Sequence, residues 1–245
     1  MTDRILEIGK AGLESADQRV RKLMDNMVNS EIPGYKKSDV VVRAFPQALE
    51  AASQRAASML PQVEGSYTTN QAGALAKTGN SLDLAIASNG YFVVAGPWGE
   101  GYTRDGRLRV DRDGRLLTVA GNFPILGDNG MIVIPEGAVV SIDADGTVRA
   151  DDAVIDQLKV VIPEKQNDLL AVTGSFFQKG NNKANLVDDP SPRIVTGYVE
   201  TSNVSIVEEM MDMISLEKIQ ALNSKLIQTR DASLAKAMDL GKPNQ

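Results

Sequence analysis

Apolar residues recur at helical spacing at both ends of this 245-residue chain, while the middle alternates in short strand-like runs punctuated by Gly. Such a layout brings two terminal helices together around a β module and suits an assembly subunit better than an enzyme. At the front, Leu13, Ala16, Val20, Leu23 and Met27 follow alternating three- and four-residue steps, which aligns them along one seam, so residues 1–31 read as one amphipathic helix. At the back, Val207, Met211 and Ile214 begin a stripe that Ile219, Leu222 and Leu226 continue with some rotation, ending near Ala237 and Leu240 before Gly241 and Pro243. Isolated helices are marginal in water, so each needs a partner for its apolar side. They can pair with each other on the surface of their own domain, or join a bundle shared between copies. Met210, Met213, Leu216 and Ile227 lie off the main stripe, which makes the last helix apolar on more than one side and favours the shared bundle.

The remaining composition narrows function mostly by subtraction. With 42% hydrophobic residues, the chain can bury one large or two modest cores. The formal net charge of −6 and the scatter of the 26 basic residues speak against nucleic-acid binding. Cys and His are both absent, which removes thiolate and imidazole metal ligands, disulfides and the commonest general base. Ser-His-Asp catalysis and zinc hydrolysis are excluded, and neither a catalytic residue, a cofactor nor a metal site is expected. The charged start Met-Thr-Asp-Arg lacks the apolar core of a cleaved secretory signal, and no apolar run approaches the roughly 20 residues that span a bilayer.

Along the chain, Pro33 and Gly34 stop the first helix, Asp39 to Phe45 reads as a short strand, and the Ala-rich stretch from Leu49 to Leu60 reads as a second helix. Residues 61–80 carry no sustained period and look like a connector. From Ser81 onward the signature is strand and turn. Asn89-Gly90, Asp105-Gly106, Asp113-Gly114 and Asp145-Gly146 each read as a hairpin turn between short alternating runs. The expected class is α+β, with the terminal helices paired in a coiled-coil-like domain and a central antiparallel all-β domain, a sandwich or small barrel. The expected boundaries are 1–35 with 200–245 for a discontinuous helical assembly domain, 36–80 for an extended or partly helical connector, and 81–199 for the β domain. Residues 164–195, rich in Gly, Asn, Asp, Lys and Pro taken together, are expected as a surface excursion.

Asp111-Arg112-Asp113-Gly114 and Asp143-Ala144-Asp145-Gly146 resemble the opening of a Ca²⁺ loop, but neither carries the Glu six residues after the Gly that completes such a loop. Turn chemistry accounts for them. Gly96, Gly99 and Gly101 around Trp98 lack the strand-to-helix context of a phosphate loop.

Four motifs in order give a more specific signal. Asn26, Asn29, Gly34 and Tyr35 mark the end of the first helix; Thr78 to Ile86 and Gly90 to Val94 enter the β region; Thr103, Arg104, Asp105 and Gly106, with Asp113 to Leu116, form its centre; Gly197, Ser202 and Asn203 precede the last helix. Together they resemble the flagellar rod and hook family of axial proteins, of the FlgF and FlgG type, nearly end to end. Departures are that Asp25-Asn26 precedes Met27-Val28-Asn29, and that Pro33 rather than Thr stands before Gly34. The compact length and the stretch from Ile125 to Pro135 look closer to the proximal-rod FlgF type, whereas Gly197 to Val204 looks closer to the distal-rod FlgG type; the balance leans to FlgF.

That resemblance implies a non-enzymatic subunit of the hollow drive shaft of the flagellar basal body, serving motility. Its terminal helices, through Leu13, Val20, Leu23, Met27, Val207, Met211, Ile214, Ile219, Leu222 and Leu226, would line the shaft and assemble helically with copies of itself and with other rod subunits. It also implies export by the flagellar type III machinery, without a cleaved signal peptide, to the rod in the periplasmic space. The alternative is a stand-alone ligand- or Ca²⁺-binding β module on a helical dimerisation stalk.

Overall fold

The computed structural model describes residues 2–46, 59–165, 169–180 and 185–240. Two helices, α1 (Thr2–Val28) and α2 (Ile206–Leu240), bracket a long series of short strands, and every strand pairing with a described register is antiparallel. The class is therefore α+β. The chain forms two units: Met1–Met27 with Asp39–Tyr67 and Ser205–Gln245, and Val28–Ser38 with Thr68–Val204.

In the first unit, α1 ends at Val28, earlier than the sequence pattern suggests. α2 opens on an N-cap: Ser205 stands ahead of the helix, its hydroxyl accepting from the Glu208 N–H at 3.5 Å and its carbonyl from Glu209 N at 3.0 Å, with Glu208 and Glu209 in the first turn. Strands Ser38–Pro46 and Met59–Thr68 make a two-stranded sheet. The helix expected at 49–60 lies mostly outside the described residues, and its last two positions, Met59 and Leu60, begin the second of these strands instead.

The second unit is built on a six-stranded sheet in the order Leu169–Thr173, Phe176–Lys179, Gly99–Thr103, Tyr91–Gly96, Val160–Pro163, Leu186–Asp188. Side chains alternate across it with period two. Phe92, Val94, Val160 and Phe176 enter the main core, shared with Leu84, Leu108, Leu116 and Val148 of neighbouring sheets, while Tyr91, Val93, Val161 and Phe177 form a second cluster. Burial on both faces explains the near-continuous apolar run Tyr91-Phe92-Val93-Val94. A four-stranded sheet orders Ile194–Thr196, Asp83–Ile86, Gly106–Val110 and Leu116–Thr118, and a three-stranded meander runs through Val140–Ile142, Thr147–Ala150 and Ala153–Gln157.

Of the four expected hairpins, two close as such. Asp113-Gly114 and Asp145-Gly146 each join paired strands, with Gly114 and Gly146 at φ of 77° and 87°. Asn89-Gly90 and Asp105-Gly106 instead carry the chain from the four-stranded to the six-stranded sheet and back. Neither Gly90 nor Gly106 has the positive φ that a tight primed turn requires. Each is glycine for proximity: a methyl group would overlap the Val160 side chain at Gly90 and the Leu84 carbonyl at Gly106. The expected surface excursion over 164–195 is likewise corrected, because three strands of this stretch belong to the six-stranded sheet and Leu169, Phe176 and Phe177 are buried. The Phe pair outweighs its polar neighbours.

Candidate assembly site and the buried junction of three motifs

α2 has two different sides. Buried and half-buried positions among the described side chains of α2 fall at Glu209, Met213, Leu216, Gln220, Asn223, Ile227 and Arg230, alternating four- and three-residue steps. The stripe read from sequence, Val207, Met211, Ile214, Ile219, Leu222 and Leu226, lies on the other side and is 48 to 68% exposed. Leu222 and Leu226 line a small apolar groove with Lys225 and Thr229. On α1, by contrast, Leu23 and Ala16 are buried and Leu13, Val20 and Met27 half-buried. The structure thus separates residues that sequence periodicity groups together. A hydrogen bond and a close approach relate the helices. Asn26 Nδ2 donates to Glu209 Oε2 at 3.0 Å, and a methyl group on Gly12 would sit 3.7 Å from Asn223 Nδ2. Moving 14 residues back along α1 moves the contact 14 residues forward along α2, the relation of antiparallel helices in a single register.

In the β unit, three of the sequence motifs converge on one buried carboxylate. Glu200, 1% exposed, accepts from Lys36 Nζ, from Arg104 Nη1 at 2.9 Å and from the Gly73 N–H at 2.8 Å. Lys36 Nζ also donates to the Gln71 carbonyl at 2.7 Å, and Arg104 to the Ile86 carbonyl at 3.3 Å with its guanidinium 5.1 Å from the centre of the Tyr91 ring. Gly34 adds backbone to this knot. Its N–H donates to the Glu200 carbonyl at 2.8 Å, its φ is 70°, and a methyl group would overlap the backbone of Arg104 and Asp105. Asn203 fixes the flank: its amide oxygen accepts from Lys37 N at 2.6 Å and its amide nitrogen donates to the carbonyls of Thr69 and Gln71, each at 3.0 Å.

The other motif residues hold the backbone around it. The Thr103 hydroxyl donates to the Ser175 carbonyl and accepts from Asp105 N, each at 3.0 Å, and Asp105 takes a bidentate pair from Arg107 at 2.9 and 2.8 Å. Tyr35 is buried, the Asn29 carbonyl accepts from Ile32 N at 3.1 Å, and the Ser202 hydroxyl accepts from Val204 N at 3.1 Å. Gly197, at φ 79°, donates to the Asp83 carbonyl and accepts from Thr78 and Gly79. Burial pulls the Lys36 ammonium below its usual pKa against the opposing pull of Glu200, and pushes the Tyr91 hydroxyl above its own.

Sequence reasoning held Lys36 and Glu200 within its motif stretches but did not name them as site residues, and it missed the burial of Glu209. The available signal was position: Lys36 directly follows the Gly34-Tyr35 step, and Glu200 sits within a short strand beside buried Val199.

The Ca²⁺-like loops are occupied by their own arginines. Asp111 and Asp113 pair with Arg115 at 2.8 and 2.7 Å, Asp143 with Arg149 at 2.8 Å, and Asp145 accepts from Thr147 N at 3.0 Å. Among the described residues no group of three or more His, Cys, Asp or Glu is placed to hold a metal ion, and no helix is long and apolar enough to cross a membrane.

The β module is tied at the Glu200 junction, and α2 leaves the stripe from Val207 to Leu226 exposed. Residues 85–150 match the flagellar hook protein FlgE/F/G D1 domain, and residues 195–240 match the flagellar basal body rod FlgEFG protein C-terminal model. The chain is 32% identical over 237 residues to flagellar basal-body rod protein FlgF of Escherichia coli K12, and 33% identical over 236 residues to that of Salmonella typhimurium LT2, covering 88% of this chain and 89% of the relative in both cases. It is 30% identical over 263 residues to flagellar basal-body rod protein FlgG of Buchnera aphidicola subsp. Schizaphis graminum, covering 96% of this chain and 98% of that protein. The chain belongs to the flagellar basal-body rod protein family, whose members are structural rather than enzymatic.

Proposed function

We propose that this chain is a FlgF-like subunit of the proximal rod, in preference to a FlgG-like subunit of the distal rod. The relatives at 32 and 33% identity are FlgF proteins, which supports the first position. The observation that carries the assembly reading is the exposed stripe from Val207 to Leu226 on the side of α2 turned away from its buried seam. α1 and α2 pair in a coiled-coil-like manner as an inner assembly domain, and the free side of α2 receives helices of neighbouring copies and of other rod subunits. Burying one Leu or Ile side chain contributes about 1.5–3 kcal/mol, so the stripe can drive association. Head-to-tail contacts that do not close generate a helical tube. The flagellar type III export machinery delivers the chain to the rod in the periplasmic space, and the absence of Cys spares it disulfide trapping while unfolded.

Amide hydrogen exchange of the full chain, free and within isolated basal bodies, tests this. Residues 205–233 gain protection in the basal body if α2 is the docking helix. Equal protection in both states, together with normal incorporation of a Leu222→Asp variant, overturns it.

A further inference from the structure

We infer that Asn26 and Glu209 form the register lock of the terminal helix pair, an inference that rests on the coiled-coil-like pairing proposed above. Both side chains are buried, at 1% and 0% exposure, and they meet at 3.0 Å. Seven residues along the α2 seam, Met213 gives way to Gln220 and Leu216 to Asn223, so the seam mixes apolar and polar side chains at heptad spacing. Apolar packing along such a mixed seam contributes to the choice between the observed alignment and one slipped by seven residues, about 10 Å along the axis, but does not by itself fix it. The amide–carboxylate pair discriminates strongly. A slip in one direction sets the Asn26 amide against apolar Leu216, and a slip in the other carries it past the start of α2 at Ile206. Burying a polar group away from its partner is costly, and register specification is the best-attested use of a buried polar pair in helix seams. The pair lies at the end of α1 and beside the N-cap of α2, so it fixes the alignment from the first turn of α2 onward.

The chain contains no Cys, so engineered thiols report register without background. In the full chain, Gly12→Cys with Asn223→Cys crosslinks at least about tenfold faster than Gly12→Cys with Leu216→Cys or with Arg230→Cys, which stand one heptad to either side, because a slipped alignment strands the buried pair. In the Asn26→Leu/Glu209→Leu background that preference falls severalfold while helix content by circular dichroism is kept. Asn26→Asp, which sets a second carboxylate against Glu209 without changing size, likewise erodes the preference and serves if the double variant misfolds. Retention of the full preference for position 223 in either background overturns the register lock and leaves the helix pair standing. Failure of the 12/223 pair to crosslink preferentially in the otherwise unaltered chain overturns the helix pairing, and the lock with it.

Discussion

Arg104 and Glu200, 96 residues apart in sequence, meet at 2.9 Å where neither side chain is exposed beyond 2%. Lys36 closes on the same carboxylate from the segment that follows α1, so Glu200 is a shared anchor for three distant stretches of chain. A buried ion group of this kind is weak evidence of net stabilisation, but breaking it is expensive because the surviving charges stay buried.

Glu200→Gln keeps the shape and removes the charge, leaving the Arg104 and Lys36 cations without their counter-ion. The β unit is expected to lose about 3–5 kcal/mol. Denaturant unfolding followed by fluorescence of Trp98, which packs against the main core, measures it; a loss under about 1 kcal/mol contradicts the assigned role.

Gly34→Ala adds both a left-handed backbone penalty and an overlap with the backbone of Arg104 and Asp105. Gly79→Ala has a similar φ of 77° but open space around it, so it carries the backbone penalty alone, about 1 kcal/mol. Thermal unfolding of the two variants side by side should show Gly34→Ala as clearly the worse; equal losses would mean that the close approach at Gly34 relaxes freely.

The Tyr102 hydroxyl is pushed up to about 12 by burial and then by Glu100, whose carboxylate it faces at 3.5 Å. A group whose pKa is raised in the folded state adds stability that is complete below its unfolded value of 10.0 and disappears as pH rises through about 12. Stability of the β unit is therefore expected to fall between those limits, and Tyr102→Phe should flatten the fall. Unfolding midpoints measured across that window decide it, and an unchanged slope in Tyr102→Phe sinks the assignment.

Leu222→Asp and Leu23→Asp should differ. Leu222 is 63% exposed, so its change leaves the fold of the free chain intact and blocks incorporation into the rod, whereas Leu23, at 8%, also loses helix in the free chain. Circular dichroism of the monomers beside a motility assay separates the two effects; loss of helix in both variants would place Leu222 in a buried seam.

Periodicity alone located both terminal helices, and composition in short alternating runs gave the antiparallel β region. The motif residues Gly34, Arg104 and Asn203 were also visible as a resemblance. Three things were hidden. The two Gly turns at 90 and 106 look identical in sequence to the true hairpins at 114 and 146, because the difference lies in φ and in which sheet receives the next strand. Phe176 and Phe177 were masked by polar neighbours although two aromatic side chains bury enough area to seat a strand. The division of α2 into a seam and an opposite apolar side was blurred because apolar residues occupy both, and the seam itself contains Glu209, Gln220 and Asn223. Sequence shows which residues avoid water, while the structure shows which of them have already done so within their own chain.

Because α2 serves its own chain along one side and leaves the other bare, its length is constrained in a way that a one-sided helix is not. One residue inserted between Glu209 and Leu222 would turn everything beyond it by about 100°, swinging the seam outward and the bare side inward. Seven residues inserted at the same point would restore both sides at once. The count of residues along α2 is therefore constrained by both sides at once, and changes near whole heptads disturb them least.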